Sequence, residues 1–227
     1  MAAPFDGIVS GLSHESVGRV TGNQLARQAK DSLSDRVGRV FKPFGLFLRG
    51  FLDNPKMVGA VFPSSSKTVS AMLERIDWPN CKVVVEYGPG VGTFCQPILD
   101  RLPAGAQLIA IDLNPEFIDH LNETIDDPRF TAVLGSAADV EQIVANERQA
   151  QADVVISGLP ISTLPDGVAD KMVAATYRVL KPGGAFLTYQ YTLTARKLTA
   201  TMFDRMDEEL VLLNIPPNFL TWGWKEG

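Results

Sequence analysis

Residues 83–93, Val-Val-Val-Glu-Tyr-Gly-Pro-Gly-Val-Gly-Thr, restrict the fold of this chain more than any other stretch. A β-branched apolar run feeds a turn with glycine at positions 88, 90 and 92, and a helical pattern follows. A strand that enters a glycine-rich turn and leaves as a helix is the opening of a βα unit in an open, twisted parallel sheet. The rest of the chain repeats the theme. Strands are expected at residues 82–86, 107–112, 130–134, 152–157 and 185–191. Helices are expected at 67–76, 93–101, 115–125, 140–148, 166–180 and 195–206. Two late strands, 210–213 and 219–224, would close the sheet as an antiparallel hairpin around Pro216-Pro217-Asn218. The expected fold is therefore α/β and Rossmann-like, with a seven-stranded, mostly parallel sheet.

The spacing of the glycines selects the ligand. Dinucleotide sites use G-x-G-x-x-G to seat a pyrophosphate on a helix N-terminus. Here the order is G-x-G-x-G, and Thr93 stands where the third dinucleotide glycine would fall. Glu86 precedes the turn, and Asp112 ends the second strand twenty residues after Gly92. A carboxylate at position 86 repels pyrophosphate but suits an ammonium, and one at 112 can accept both hydroxyls of a ribose. Both acids fit a cationic, phosphate-free adenosyl ligand better than a dinucleotide.

These residues resemble the class I S-adenosylmethionine-dependent methyltransferases, over about residues 64–190. The resemblance implies that Glu86, Gly88, Gly90 and Gly92 line the methionine end of S-adenosylmethionine. It implies Asp112 at the ribose, Ala137 and Ala138 beside the adenine, and Thr93 and Leu113 among the other cofactor contacts. After the fourth strand, Ser157-Gly158-Leu159-Pro160-Ile161 is similar in outline to the Asn-Leu-Pro-Tyr of ribosomal RNA adenine dimethylases. Gly158 replaces the Asn and Ile161 the aromatic, so the groups that would bond and stack a flipped base are missing. The wider pattern resembles bacterial phosphatidylethanolamine N-methyltransferases. It includes Phe47-Leu48-Arg49, Val58 through Ser65, the glycine turn, Ser157 through Pro160 and Asn214-Ile215-Pro216-Pro217; the tail 218–224 departs from that family's more basic, tyrosine-bearing ending. That likeness implies N-methylation of a phospholipid headgroup amine. Ser157 would meet both cofactor and amine and Gly158 the cofactor, and Ser157, Tyr189, Gln190 and Tyr191 are the candidates for orienting the amine. An RNA adenine N-methyltransferase, a methyltransferase of a small soluble amine and an inactive membrane-binding relic are the competing readings.

Three segments are expected: 1–22 aperiodic, 23–66 a basic helical extension, and 67–227 the catalytic domain. Apolar residues from Leu33 to Phe51 recur at helical spacing and include Phe41, Phe44, Phe47 and Phe51, with Pro43 breaking the run. The chain carries −5 in total, yet residues 19–67 carry +6. A basic, Phe-bearing stripe on an acidic body predicts adsorption of residues 24–53 to an anionic membrane surface. The expected location is cytoplasmic, peripheral to the inner face of the membrane, with no nucleic acid partner. No stretch is long and apolar enough to span a bilayer. Cys81, Cys95, His14 and His120 have no metal-ligand spacing, so no metal is expected.

Overall fold

The computed structural model describes residues 66–190, 193–211 and 218–227. The basic extension at 24–53, Tyr191 and the Pro216-Pro217 turn lie outside them. A helix α1 (Ser66–Leu73) leads through a 3-10 turn at Trp78–Asn80 into strand β1 (Val83–Tyr87). Then follow α2 (Cys95–Leu99), β2 (Gln107–Asp112), α3 (Pro115–Thr124), β3 (Phe130–Leu134), α4 (Val140–Asn146) and β4 (Ala152–Ser157). The chain continues with α5 (Val168–Val179), β5 (Leu180–Gln190), α6 (Thr194–Met202), β6 (Arg205–Val211) and β7 (Asn218–Trp224).

The strands lie in the order β3-β2-β1-β4-β5-β7-β6. Strands β1 to β5 are parallel, and β7 is antiparallel to both β5 and β6. The order reverses between β1 and β4, which opens a crevice at their carboxyl ends where ligands of such sheets bind. Alternation along the buried strands feeds two cores. Val84, Leu108, Ile156 and Leu187 pack with Phe94, Ile98 and Trp222 on one face. Val85, Ile111, Val155 and Phe186 pack with Val140, Val144 and Met172 on the other. At the amino edge, the buried Asp153 accepts the amides of Lys82 (2.8 Å) and Val83 (2.7 Å) and pairs with Lys181. That one carboxylate ties β1, β4 and β5 together at the end remote from the crevice.

Strands β2, β3 and β4 keep their expected bounds. Helix α6 stops at Met202, four residues short of expectation, because Phe203 turns inward to stack on Phe186 at 5.6 Å. Residues 205–211 then form β6, where 210–213 was expected. Arg205 falls in the expected helix and Asp207, Glu208 and Glu209 between it and the expected strand, yet all four belong to a charged edge strand paired to β7. Charge on an edge discourages further strand addition. Strand β5 begins at Leu180 rather than Ala185, with a register irregularity between Ala152 and Val154 of β4. Among the described residues no helix is long and apolar enough to cross a membrane, and no three His, Cys, Asp or Glu side chains gather as metal ligands.

Candidate functional site

The crevice gathers most of the expected site residues. The three glycines of the turn all have positive φ, +64° at Gly88, +55° at Gly90 and +85° at Gly92, a conformation costly for other residues. Their surroundings differ. A Cβ on Gly88 would lie 2.6 Å from Leu159 Cδ2, and one on Gly92 would lie 2.9 Å from Leu121 Cδ2. A Cβ on Gly90 would meet nothing within 4 Å. Gly88 and Gly92 are thus glycines for packing, while Gly90 keeps an open approach for a ligand. Thr93 is half-exposed in the same turn, and Phe94 and Cys95 behind it are buried.

Glu86 is buried, at 3% exposure, and accepts a hydrogen bond from the Cys95 thiol at 3.2 Å. Burial pushes its carboxyl up to about 7, the thiol bond pulls it back, and the charge of Asp112 raises it further. Burial raises Asp112 as well, opposed by the backbone amides of Asn114, Gly90 and Leu113. The Asn114 amide donates to its Oδ1 at 2.8 Å, which turns the carboxylate across the mouth of the glycine turn. Two desolvated acids at one end of a crevice are a standing attraction for a cation with hydroxyl donors. The chemistry of this donor set, with the open cradle at Gly90, fits S-adenosylmethionine.

Beyond Asp112 lies a pocket that opens to solvent. Ile111, Leu113, Ala137 and Ala138 line one side, and Leu159, Leu164, Val168 and Met172 the other. Apart from Asp112 and Ser136 these walls are apolar or glycine, as a planar heterocycle needs. Leu113, Ala137 and Ala138 thus line one pocket together, and Leu159, Leu164, Val168 and Met172, which the sequence did not assign to the cofactor, complete it. Only folding brings α5 and the loop after β4 against the end of β3.

The loop after β4 forms the other wall. Ser157 is fully buried, and its Oγ accepts the Leu159 amide at 3.3 Å. Gly158 donates to Tyr87 O at 2.9 Å. A Cβ at Gly158 would come within 2.6 Å of the Tyr189 hydroxyl and 3.1 Å of Gly88 O. Tyr189, half-buried, stacks on Phe94 with centroids 5.0 Å apart. So Tyr189 brings a hydroxyl from β5 into the space that a side chain at 158 would fill, beside the glycine turn. Asp166 is exposed and does not cap α5, whose N-cap is Gly167. Cys95 was not foreseen as a partner of Glu86. Its place in the first turn of the helix after the glycines was the available signal.

Residues 84–184 match the methyltransferase domain family. The chain is 32% identical over 178 residues to the ornithine lipid N-methyltransferase of Singulisphaera acidiphila, covering 78% of this chain and 93% of that protein. Among solved structures it is similar to the 1,6-didemethyltoxoflavin-N1-methyltransferase of Burkholderia thailandensis, whose structure holds S-adenosylhomocysteine. That likeness has a TM-score of 0.61 at 15% identity, over 82% of this chain and 90% of that one. An O-methyltransferase family protein of Burkholderia thailandensis matches with TM-score 0.55 at 18% identity, over 72% of this chain. This chain spans 56% of that protein's length.

Proposed function

This chain belongs to the class I S-adenosylmethionine-dependent methyltransferases, and from that premise we propose that it methylates the headgroup amine of a lipid at a membrane surface. The single observation that carries the lipid reading is the 32% identity to a lipid N-methyltransferase over 93% of that protein's length. The fully apolar Ile161 and the bare Gly158 in the loop after β4 support it against a stacked nucleobase.

S-adenosylmethionine supplies, when bound, a methyl group on a sulfonium sulfur. In this proposal Glu86 holds its ammonium, Asp112 its ribose hydroxyls, and Leu113, Ala137 and Ala138 its adenine. Gly90 lets the backbone come close. The protein's task is then to place a neutral amine in line and to keep water out. A primary ammonium titrates near ~10 and is charged at neutral pH, so the site must favour loss of its proton. In the same reading Tyr189, stacked on Phe94, orients the amine with its hydroxyl. Ser157 shapes the loop on which the amine rests, and Tyr191 follows Tyr189 as a further candidate.

The basic, Phe-bearing segment 24–53 would bring the protein to anionic lipid on the cytoplasmic face. At about 1 kcal/mol per basic residue near such a surface, the +6 carried by residues 19–67 gives a salt-sensitive adsorption. Phosphatidylethanolamine is the proposed headgroup. Ornithine lipid is the second reading, favoured by the named relative.

The test is to incubate the protein with methyl-labelled S-adenosylmethionine and vesicles of phosphatidylethanolamine or ornithine lipid mixed with anionic lipid, and with RNA separately. Label in the phosphatidylethanolamine fraction by mass spectrometry is the expected result. Label in ornithine lipid alone would change the headgroup. Label in RNA alone would overturn the lipid reading.

A further inference from the structure

Gln190 is the last residue of β5, beside Tyr189 but pointing to the opposite face of the sheet. It is 6% exposed. Its Nε2 donates to the carbonyl of Leu159 at 2.7 Å, and its Oε1 accepts the amide of Ile161 at 3.3 Å. The carboxamide thus spends both ends on the loop after β4, which corrects the expectation that Gln190 faces the amine.

The held loop has two duties. The side chain of Leu159 lines the apolar pocket and fills the space against Gly88. Its amide is fixed by Ser157 and its carbonyl by Gln190. Ile161 is anchored in the core at 2% exposure, with its amide on the same Gln190. Only a side chain that donates at one atom and accepts at the next, with this reach, serves both groups. We propose that Gln190 is the positioning residue of this site: by clamping Leu159 and Ile161 it sets Leu159 as a wall of the cofactor pocket. In this way it ties the end of β5 that carries Tyr189 to the cofactor. The inference rests on the methyltransferase reading.

Gln190→Glu tests it without loss of shape. A protonated carboxyl can donate to the Leu159 carbonyl and accept from Ile161, while a carboxylate can only accept and repels that carbonyl. Titration of S-adenosylhomocysteine into wild type and variant from pH 5 to pH 8.5 is expected to give a ratio of dissociation constants near one at the acid end. The ratio should climb to roughly tenfold at the alkaline end, the equivalent of about one lost hydrogen bond. Amide exchange of Ile161 should speed up in Gln190→Leu while that of β2 stays unchanged. A ratio that does not vary with pH, or an Ile161 amide indifferent to Gln190→Leu, would overturn the clamp. Wild type that fails to bind S-adenosylhomocysteine would instead overturn the cofactor reading, and the clamp's role with it.

Discussion

Replacing Glu86 with Gln is expected to stabilise the ligand-free protein and to weaken cofactor binding, and the first effect must grow with pH. Glu86 is buried, and its carboxyl rises from 4.5 to about 7. Each pKa unit is worth about 1.4 kcal/mol, so the displacement amounts to ~3 kcal/mol. The folded-state value lies above the unfolded one. Between 4.5 and about 7 the native state therefore holds a proton that the unfolded state has lost, and stability falls as pH rises. Glutamine does not titrate, and every other group cancels in the difference. Chemical unfolding of wild type and Glu86→Gln at pH 5 and pH 8 should show the variant's advantage widening by roughly 2 to 3 kcal/mol. In parallel, wild-type affinity for S-adenosylhomocysteine should rise about tenfold from pH 6 to pH 8, since its ammonium prefers the ionised carboxylate. The variant's affinity should be weak and flat. A stability difference independent of pH would refute the placement of Glu86 as a desolvated acid. Wild-type affinity in the variant would refute its role as the ammonium's partner.

Two further substitutions separate packing from binding. Gly90→Ala should cost only about 1 kcal/mol of stability, for its left-handed backbone, yet lower cofactor affinity more than tenfold because the new methyl enters open space. Gly88→Ala, facing Leu159 Cδ2 at 2.6 Å, should cost about 2 kcal/mol or more; thermal melts and calorimetric titration distinguish the two. Gly158→Ala should lose cofactor binding through the clash with the Tyr189 hydroxyl at 2.6 Å. Adding Tyr189→Phe should restore binding while leaving methyl transfer no faster than in Tyr189→Phe alone. Recovery of full transfer in the double variant would show that the hydroxyl does not serve the amine.

Much of the sheet could be read locally. The bounds of β2, β3 and β4 follow from short apolar runs between turn residues, and the glycine turn announces the crevice through its spacing alone. Glu86 and Asp112 were legible because each lies at the carboxyl end of a strand whose direction is set. What stayed hidden depends on partners far along the chain. Residues 205–211 carry four charges and declare themselves as a strand only through pairing with β7. Leu164, Val168 and Met172 join the pocket only when the loop after β4 and α5 settle against the turn that follows β3. Gln190 looked like polarity at a sheet end, and its clamp spans 31 and 29 residues of sequence. Gly158 read as a missing polar group, although the structure shows its space occupied by the hydroxyl of Tyr189.

The carboxylate of Asp153, which stitches β1, β4 and β5 on the side away from the crevice, bears on how such a protein can change its occupation over generations. The Asp153 tie between strands sits on one rim, and the residues proposed to meet an acceptor sit on the other. A lineage can therefore alter the loop after β4 or the tip of β5 while the frame that positions them stays put. Drift in what is methylated need not be bought with foldability, so new acceptors can be tried one loop residue at a time.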